Sequence, residues 1–146
     1  LNYDLTDTTT GKVERIEDSF FIYNIHQQSE VMVSADSIFS MILPENTFYQ
    51  PYWGYVKKDT VCDSQYVIYP SDVPLRRSVE IRFYLLPADS SMMPHMGIYE
   101  INNNRPGFIG NQFMSHYLCA KTRRLGRYQV LTDTIPPQID WMYPKD

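Results

Sequence analysis

The chain has 146 residues, of which 43% are hydrophobic and 21% are charged, and its formal net charge is −4 at pH 7. This length suits about one domain, and the composition excludes a disordered tail, a collagen-like chain and a coiled coil. The negative charge gives no overall attraction for nucleic acid, and no apolar run approaches the ~20 residues of a membrane span.

The residue types favour strands over helices. Twelve Tyr, seven Phe, two Trp and ten Pro stand against only six Gly. Aromatic side chains suit pleated strands, and proline suits rigid loops. Turn signals recur every ~8–12 residues without a sustained helical period, so we predict an all-β protein, an antiparallel β-sandwich of about eight or nine short strands.

The first part of the chain divides into a polar and an aromatic portion. Residues 1–18 are rich in Thr and Asp and predict a lead-in segment with at most one short strand. From Ser19 to Leu43, the hexamer FFIYNI and two later apolar stretches predict two or three strands. The turn residues 44–46 precede the most distinctive segment, the aromatic run from Phe48 to Tyr55.

The second half carries the clearest strand, Val79 to Leu86. Apolar residues alternate along it with Glu80, Arg82 and Tyr84, which indicates one buried and one wetter face. Further strands are predicted at 96–101 and 108–114, and Gly107 to Gly110 is interpreted as a bulge or turn.

The last strands are predicted at 117–121 and 127–132, and we interpret them as a hairpin. The sandwich domain is expected to span residues 19–135. Pro136 and Pro137 impose extended geometry, so residues 136–146 are interpreted as a stiff linker toward a following domain, and the chain as a piece of a longer protein.

The segment LGRYQVLTDTIPPQI, residues 125–139, resembles a signature of immunoglobulin-like domains in bacterial surface and envelope proteins. With residues 42–49 and 73–75, the chain resembles the non-catalytic β-sandwich region of lysostaphin-like zinc endopeptidases of Gram-negative bacteria. The resemblance implies an immunoglobulin-like fold, a domain boundary at Asp133, Pro136 and Pro137, and an exported, periplasmic or envelope-associated protein. It also implies neighbouring domains of the same polypeptide as partners.

The zinc-binding motifs of those endopeptidases, H-x-x-x-D and H-x-H, do not occur in this sequence. The three histidines, His26, His95 and His116, are isolated from one another, and the G-x-S-x-G motif of serine hydrolases does not occur either. We therefore expect neither enzymatic activity nor a cofactor or metal ion. A hydrolase with a site scattered over several loops is the alternative, and no motif supports it.

Two features remain as candidate sites. Tyr49, Tyr52, Trp53 and Tyr55 form a candidate stacking platform for peptidoglycan or another glycan, although the same rings also suit the interior of a sandwich. The only cysteines, Cys62 and Cys119, allow one intramolecular disulfide, with a buried free thiol at Cys119 as the alternative.

Taken together, the residues and the resemblance predict a non-catalytic module that spaces or orients domains of an exported bacterial cell-wall peptidase-like protein. A carbohydrate-binding module that uses the aromatic platform is the second hypothesis.

Overall fold

The computed structural model describes the backbone of residues 2–6 and 13–17, and the structure of residues 20–62, 64–89 and 91–133. Two short 3₁₀ turns, Pro87–Asp89 and Met93–His95, interrupt an arrangement that otherwise consists of strands and loops. The strands of these residues are β1 (Asn2–Thr6), β2 (Val13–Glu17), β3 (Ile22–Ile25), β4 (Glu30–Val33), β5 (Phe39–Leu43), β6 (Tyr52–Lys58), β7 (Gln65–Tyr69), β8 (Val79–Tyr84), β9 (Met96–Asn102), β10 (Arg105–Gly110), β11 (Gln112–Met114), β12 (Tyr117–Thr122) and β13 (Arg127–Thr132).

Eleven of the described strands form two antiparallel sheets that pack as a sandwich. The six-stranded sheet has the order β10-β9-β13-β7-β6-β3, and the five-stranded sheet has the order β11-β12-β8-β5-β4. The predicted all-β class and antiparallel sandwich are confirmed. The strand number exceeds the predicted eight or nine, partly because β7 was not predicted and partly because the single strand expected at 108–114 is divided between β10 and β11.

The predicted hairpin between the last two strands is wrong. Strand β12 pairs with β11 and β8 in the five-stranded sheet, whereas β13 pairs with β9 and β7 in the six-stranded sheet. The connection between them therefore crosses from one sheet to the other. Leu125 lies in this basic connection and is buried in the core, which anchors the crossover.

The lead-in segment holds two strands where at most one was expected. Strands β1 and β2 pair antiparallel from Asn2 opposite Glu17 to Thr6 opposite Val13, and they form a two-stranded sheet. Threonine is itself a good strand residue, so a polar composition did not preclude pairing here.

Strand β8 has the alternation of buried and exposed residues that the sequence pattern predicts. Val79, Ile81 and Phe83 are buried, while the alternating Glu80 and Arg82 lie on the outer face and form an ion pair with an Nε–Oε1 distance of 2.6 Å. The expected bulge also occurs, because the pairing of β10 with β9 shifts register between Phe108 and Gly110.

Four aromatic rings join the two sheets at the centre of the core. Phe39 of β5 stacks on Tyr66 of β7, with ring centroids 5.4 Å apart, and meets Phe83 of β8 edge to face at 5.1 Å. Tyr128 of β13 lies parallel to Phe39 at 6.3 Å. Since β5 and β8 belong to one sheet and β7 and β13 to the other, this central aromatic cluster fixes how the sheets face each other.

A hydrogen-bonded carboxylate connects the sheets at the rim of this cluster. The Tyr66 hydroxyl donates to Asp36 in the β4–β5 turn at 2.7 Å, and the Ser34 hydroxyl donates to its other oxygen at 2.6 Å. Lys58 lies 3.3 Å from the same carboxylate. Partial burial raises the pKa of Asp36, but the hydrogen bonds that it accepts outweigh burial, so its pKa lies below the ordinary 3.8.

We expect Phe39→Ala to lower the free energy of unfolding by about 3–5 kcal/mol, because the substitution empties a fully buried position between both sheets. Urea denaturation measures this loss. Phe113→Ala, at an exposed ring on β11, serves as the control and is expected to change stability by less than about 1 kcal/mol. Equal losses in the two variants would contradict the central role of Phe39.

The lowered pKa of Asp36 predicts an acid-dependent contribution to stability. A group with a lower pKa in the folded state stabilises the fold above its unfolded pKa, and this stabilisation is lost as the pH falls through the folded pKa. We therefore expect Asp36→Asn to be less stable than the wild type at pH 7, with the difference shrinking below pH 3.8. Urea denaturation across this pH range checks the expectation, and a constant difference at every pH would contradict it.

Candidate functional site

The candidate site is the outer face of the six-stranded sheet where β3, β6 and β7 lie side by side. Side chains alternate along β6, so Tyr52 and Val56 point into the core while Trp53 and Tyr55 point outward. Tyr55 is paired with Ile22 of β3 on one side and with Tyr69 of β7 on the other. We call this region, formed by Phe20, Ile22, Asn24, Trp53, Tyr55 and Tyr69, the aromatic face.

Three rings of the aromatic face form a continuous stack. Phe20 stacks on Tyr55 with centroids 4.6 Å apart, and Tyr55 stacks on Tyr69 at 5.4 Å. Phe20 approaches from the β3 side and Tyr69 from the β7 side, so protein rings cover both faces of Tyr55. A sugar ring needs an open aromatic face, and Tyr55 does not offer one.

Trp53 is the open ring of the aromatic face. Its side chain is 62% exposed, and the exposed Asn24 lies directly opposite it on β3. An indole beside a primary amide combines an apolar surface with hydrogen-bonding groups, which suits either a protein partner or a sugar.

The other two predicted platform residues lie elsewhere. Tyr49 is 63% exposed in the loop before β6, with the Arg76 guanidinium 5.9 Å from its ring centroid. Tyr52 is buried, stacks on Phe48 at 4.2 Å, and donates its hydroxyl to the carbonyls of Tyr69 and Pro70. Desolvation raises the pKa of this hydroxyl. Tyr52 is therefore a core residue and takes no part in an exposed platform.

Gly54 explains how the Tyr52 ring is accommodated. A Cβ atom added at Gly54 would overlap the Tyr52 ring, because the ring folds over the glycine on the inner side of the sheet. Glycine is needed here for close approach, and any larger residue would displace the tyrosine.

Sequence reasoning missed Phe20, Ile22 and Tyr69. Tyr69 ends the strand QYVIY, in which three consecutive residues are buried, so no alternation reveals which way it faces. The pairing of β3 and β7 with β6, which brings these residues together, has no local signal in the sequence.

A shallow polar trough adjoins the aromatic face on the side of β7. It has a volume of about 510 Å³, and Val67 and Tyr69 line it together with Lys57, Asn104 and Arg127. Arg127 lies 3.7 Å from Asp59, so opposite charges are paired along its wall. The trough offers amide and charged groups next to an aromatic ring.

Both cysteines are free thiols in this structure. Cys119 is buried on β12, and burial raises the pKa of its thiol. Cys62 lies before β7 in the other sheet, where Gln129 contacts its sulfur at 3.8 Å.

The remaining predicted features are only partly described. Asp133 donates its backbone amide to the His95 carbonyl at 2.8 Å, whereas Pro136 and Pro137 lie outside the described residues. Across the described ranges, no three His, Cys, Asp or Glu side chains are grouped to hold a metal ion. The same part of the chain contains no helix of the length and apolarity needed to cross a membrane.

The fold and the aromatic face define a β-sandwich domain with an apolar, partly aromatic outer surface. The Zu5-like domain family matches residues 21–133, well over half of the chain, and the chain belongs to this family. The match covers both sheets from β3 to β13, so the family unit and the sandwich coincide. No curated protein matches the chain at a significant level.

We expect Tyr52→Phe to lower the free energy of unfolding by about 1–2 kcal/mol, because two carbonyls lose their hydroxyl donor. Urea denaturation measures the loss, and Tyr49→Phe, which removes an exposed hydroxyl, is the matched control with an expected change below about 0.5 kcal/mol. No difference between the two variants would contradict the core role assigned to Tyr52.

Proposed function

We propose that this Zu5-like domain is a non-catalytic interaction module that spaces and orients neighbouring domains of an exported bacterial cell-wall peptidase-like protein. The observation that carries the proposal is the aromatic face, where Ile22 and Trp53 are each more than half exposed, next to the equally exposed Phe21. Contiguous exposed apolar side chains of this kind mark surfaces that contact other proteins.

The chemistry of the aromatic face supports a protein contact. Its defining side chains carry no charge, and aromatic residues are enriched at the centres of protein interfaces while charged ones are depleted. The rings of Phe20, Tyr55 and Tyr69 are already held by stacking, so a partner loses little side-chain entropy in ordering them.

Rigidity is the second requirement of a spacer, and the central aromatic cluster supplies it. A sandwich whose sheets are joined by packed rings transmits position from one end to the other, unlike a flexible linker. Export and a peptidase-like parent rest on a different support, the resemblance of residues 125–139 to envelope-protein domain boundaries.

Carbohydrate binding is the second candidate function, favoured by the pairing of the open Trp53 ring with Asn24 and by the adjoining polar trough. Since Tyr52 is buried and Tyr55 is covered on both faces, stacking on a glycan would depend on Trp53, with Tyr49 in a separate loop. This is a smaller platform than the four-residue one predicted from the sequence.

The test of the spacer function is deletion of residues 20–133 from the full-length polypeptide. We expect reduced association with the cell envelope and reduced action on intact cell walls, with hydrolysis of a small soluble peptide unchanged, because the module contributes position and no bond-making group. Unchanged localisation and unchanged wall binding after deletion would contradict the proposal.

A second arm separates the glycan alternative. In a Trp141→Phe variant, Trp53 is the only tryptophan, so its fluorescence reports on the aromatic face. Strong quenching by iodide is expected from its exposure. A saturable shift on titration with soluble peptidoglycan fragments would support carbohydrate binding, whereas an unchanged spectrum, with the same fragments present at high concentration, favours the spacer.

A further inference from the structure

The two sheets end in four edge strands: β10 and β3 in the six-stranded sheet, and β11 and β4 in the five-stranded sheet. An edge strand directs unpaired amides and carbonyls outward and is therefore a template for another strand. Proteins block such edges with charges, prolines, bulges, short strands or covering side chains.

Three of the four edges carry such devices. Strand β10 contains Arg105, Pro106 and a bulge, and β11 is only three residues long. Strand β4 is capped at Val33 by a side chain from the other sheet, because the Tyr23 hydroxyl donates to the Val33 carbonyl at 3.2 Å and accepts from the Val33 amide at 2.9 Å.

Strand β3 is the exception. It pairs with β6 on one side, and in the part of the chain that the structure describes no strand pairs with its other side. No charged residue and no proline occurs from Phe20 to Ile25, and the side chains of Phe21 and Ile22 are 57% and 52% exposed. In an antiparallel ladder, alternate residues turn their backbone groups away from the neighbour, so the open side of β3 presents donors and acceptors.

We propose that β3 pairs antiparallel with β3 of a second copy of this chain, which joins two six-stranded sheets into one continuous sheet across a two-fold axis. In such a pair the same short segment runs past its own copy, so a charge within it would lie close to the like charge of the partner. The neutral sequence FFIYNI avoids this repulsion, and it places Phe21 and Ile22 of both copies at the contact. A second copy is thus the partner that this edge fits.

The size of the contact sets the strength of the dimer. Strand β3 has four residues, and two exposed apolar side chains from each copy add only a few hundred Å² of buried surface. The interface lies at the small end of specific contacts, so we expect a dissociation constant in the range of about 10 µM to 1 mM. This dimer goes beyond the proposed spacer function and does not depend on it.

Sedimentation equilibrium of the 146-residue chain, from about 10 µM to above 1 mM, tests the proposal. We expect a monomer–dimer equilibrium that Ile22→Lys weakens by at least about tenfold, because it replaces an exposed apolar side chain of this short strand by a charge that lies close to the like charge of the second copy. Val31→Lys is the matched control, since Val31 is 45% exposed on a different edge strand, β4, and its dimer is expected to match that of the wild type.

Amide hydrogen exchange provides an independent measurement in case a variant is destabilised. In the wild type, outward-directed amides of β3 are expected to exchange more slowly as the protein concentration rises, while amides of β4 and β11 do not change. The proposal would be overturned by a monomer at every concentration or by protection confined to another edge strand. It would also be overturned if Ile22→Lys left the dimer intact, or if Val31→Lys weakened the dimer equally.

Discussion

The arrangement of the sandwich depends on the packing of Phe39 against rings from both sheets. Two of these rings, Tyr66 and Tyr128, are tyrosines that are almost wholly buried, so their hydroxyls must find partners at the margin of the core. Tyr66 reaches Asp36 in the β4–β5 turn, and Tyr128 donates to the Arg124 carbonyl at 2.6 Å in the crossover between the sheets. The hydroxyl ends of two core residues thus fix two connections as well as the sheets.

The same constraint divides the aromatic residues of the chain between interior and surface. A strand gives alternate residues to opposite faces, and the core accepts only one of the two sets. In β6 the interior receives Tyr52, which packs on Phe48, and the surface receives Trp53 and Tyr55. The aromatic face is therefore a consequence of packing an aromatic-rich chain into a two-layer fold, and its apolar character makes it available for contact.

The strands with regular alternation were predictable because burial on one face leaves a period of two in the sequence. Strand β8 is the clear example, with its ends placed close to those observed. Strand β7 was missed because Tyr66, Val67 and Ile68 are all buried, which removes that period. The wrong hairpin has a different cause: the segments of β12 and β13 were found from local composition, but the choice of partner strand depends on contacts far apart in the chain.

For the candidate site, the sequence showed which aromatic residues are present but not which of them are exposed together. Tyr52 and Trp53 are neighbours in the sequence, and neighbours on a strand cannot both face the same side. Once the segment is a strand, one of the two residues must enter the core. In the structure this residue is Tyr52, whose ring occupies the space that a Cβ atom at Gly54 would take. Phe20, Ile22 and Tyr69 enter the site through strand pairing, which no local pattern encodes.

In the proposed dimer, the hydroxyl of Tyr23 limits further association, because it caps a second edge of the sandwich. With Val33 of β4 capped, β3 is the unprotected edge of the two sandwich sheets in the described part of the chain, so a pair that joins through β3 leaves no such edge open in either sheet. A phenylalanine at this position would uncover the Val33 amide and carbonyl and give each molecule two open edges at opposite sheets. A molecule with two such edges has a second place at which a further copy can pair, so the loss of this one oxygen atom would let association continue beyond the dimer.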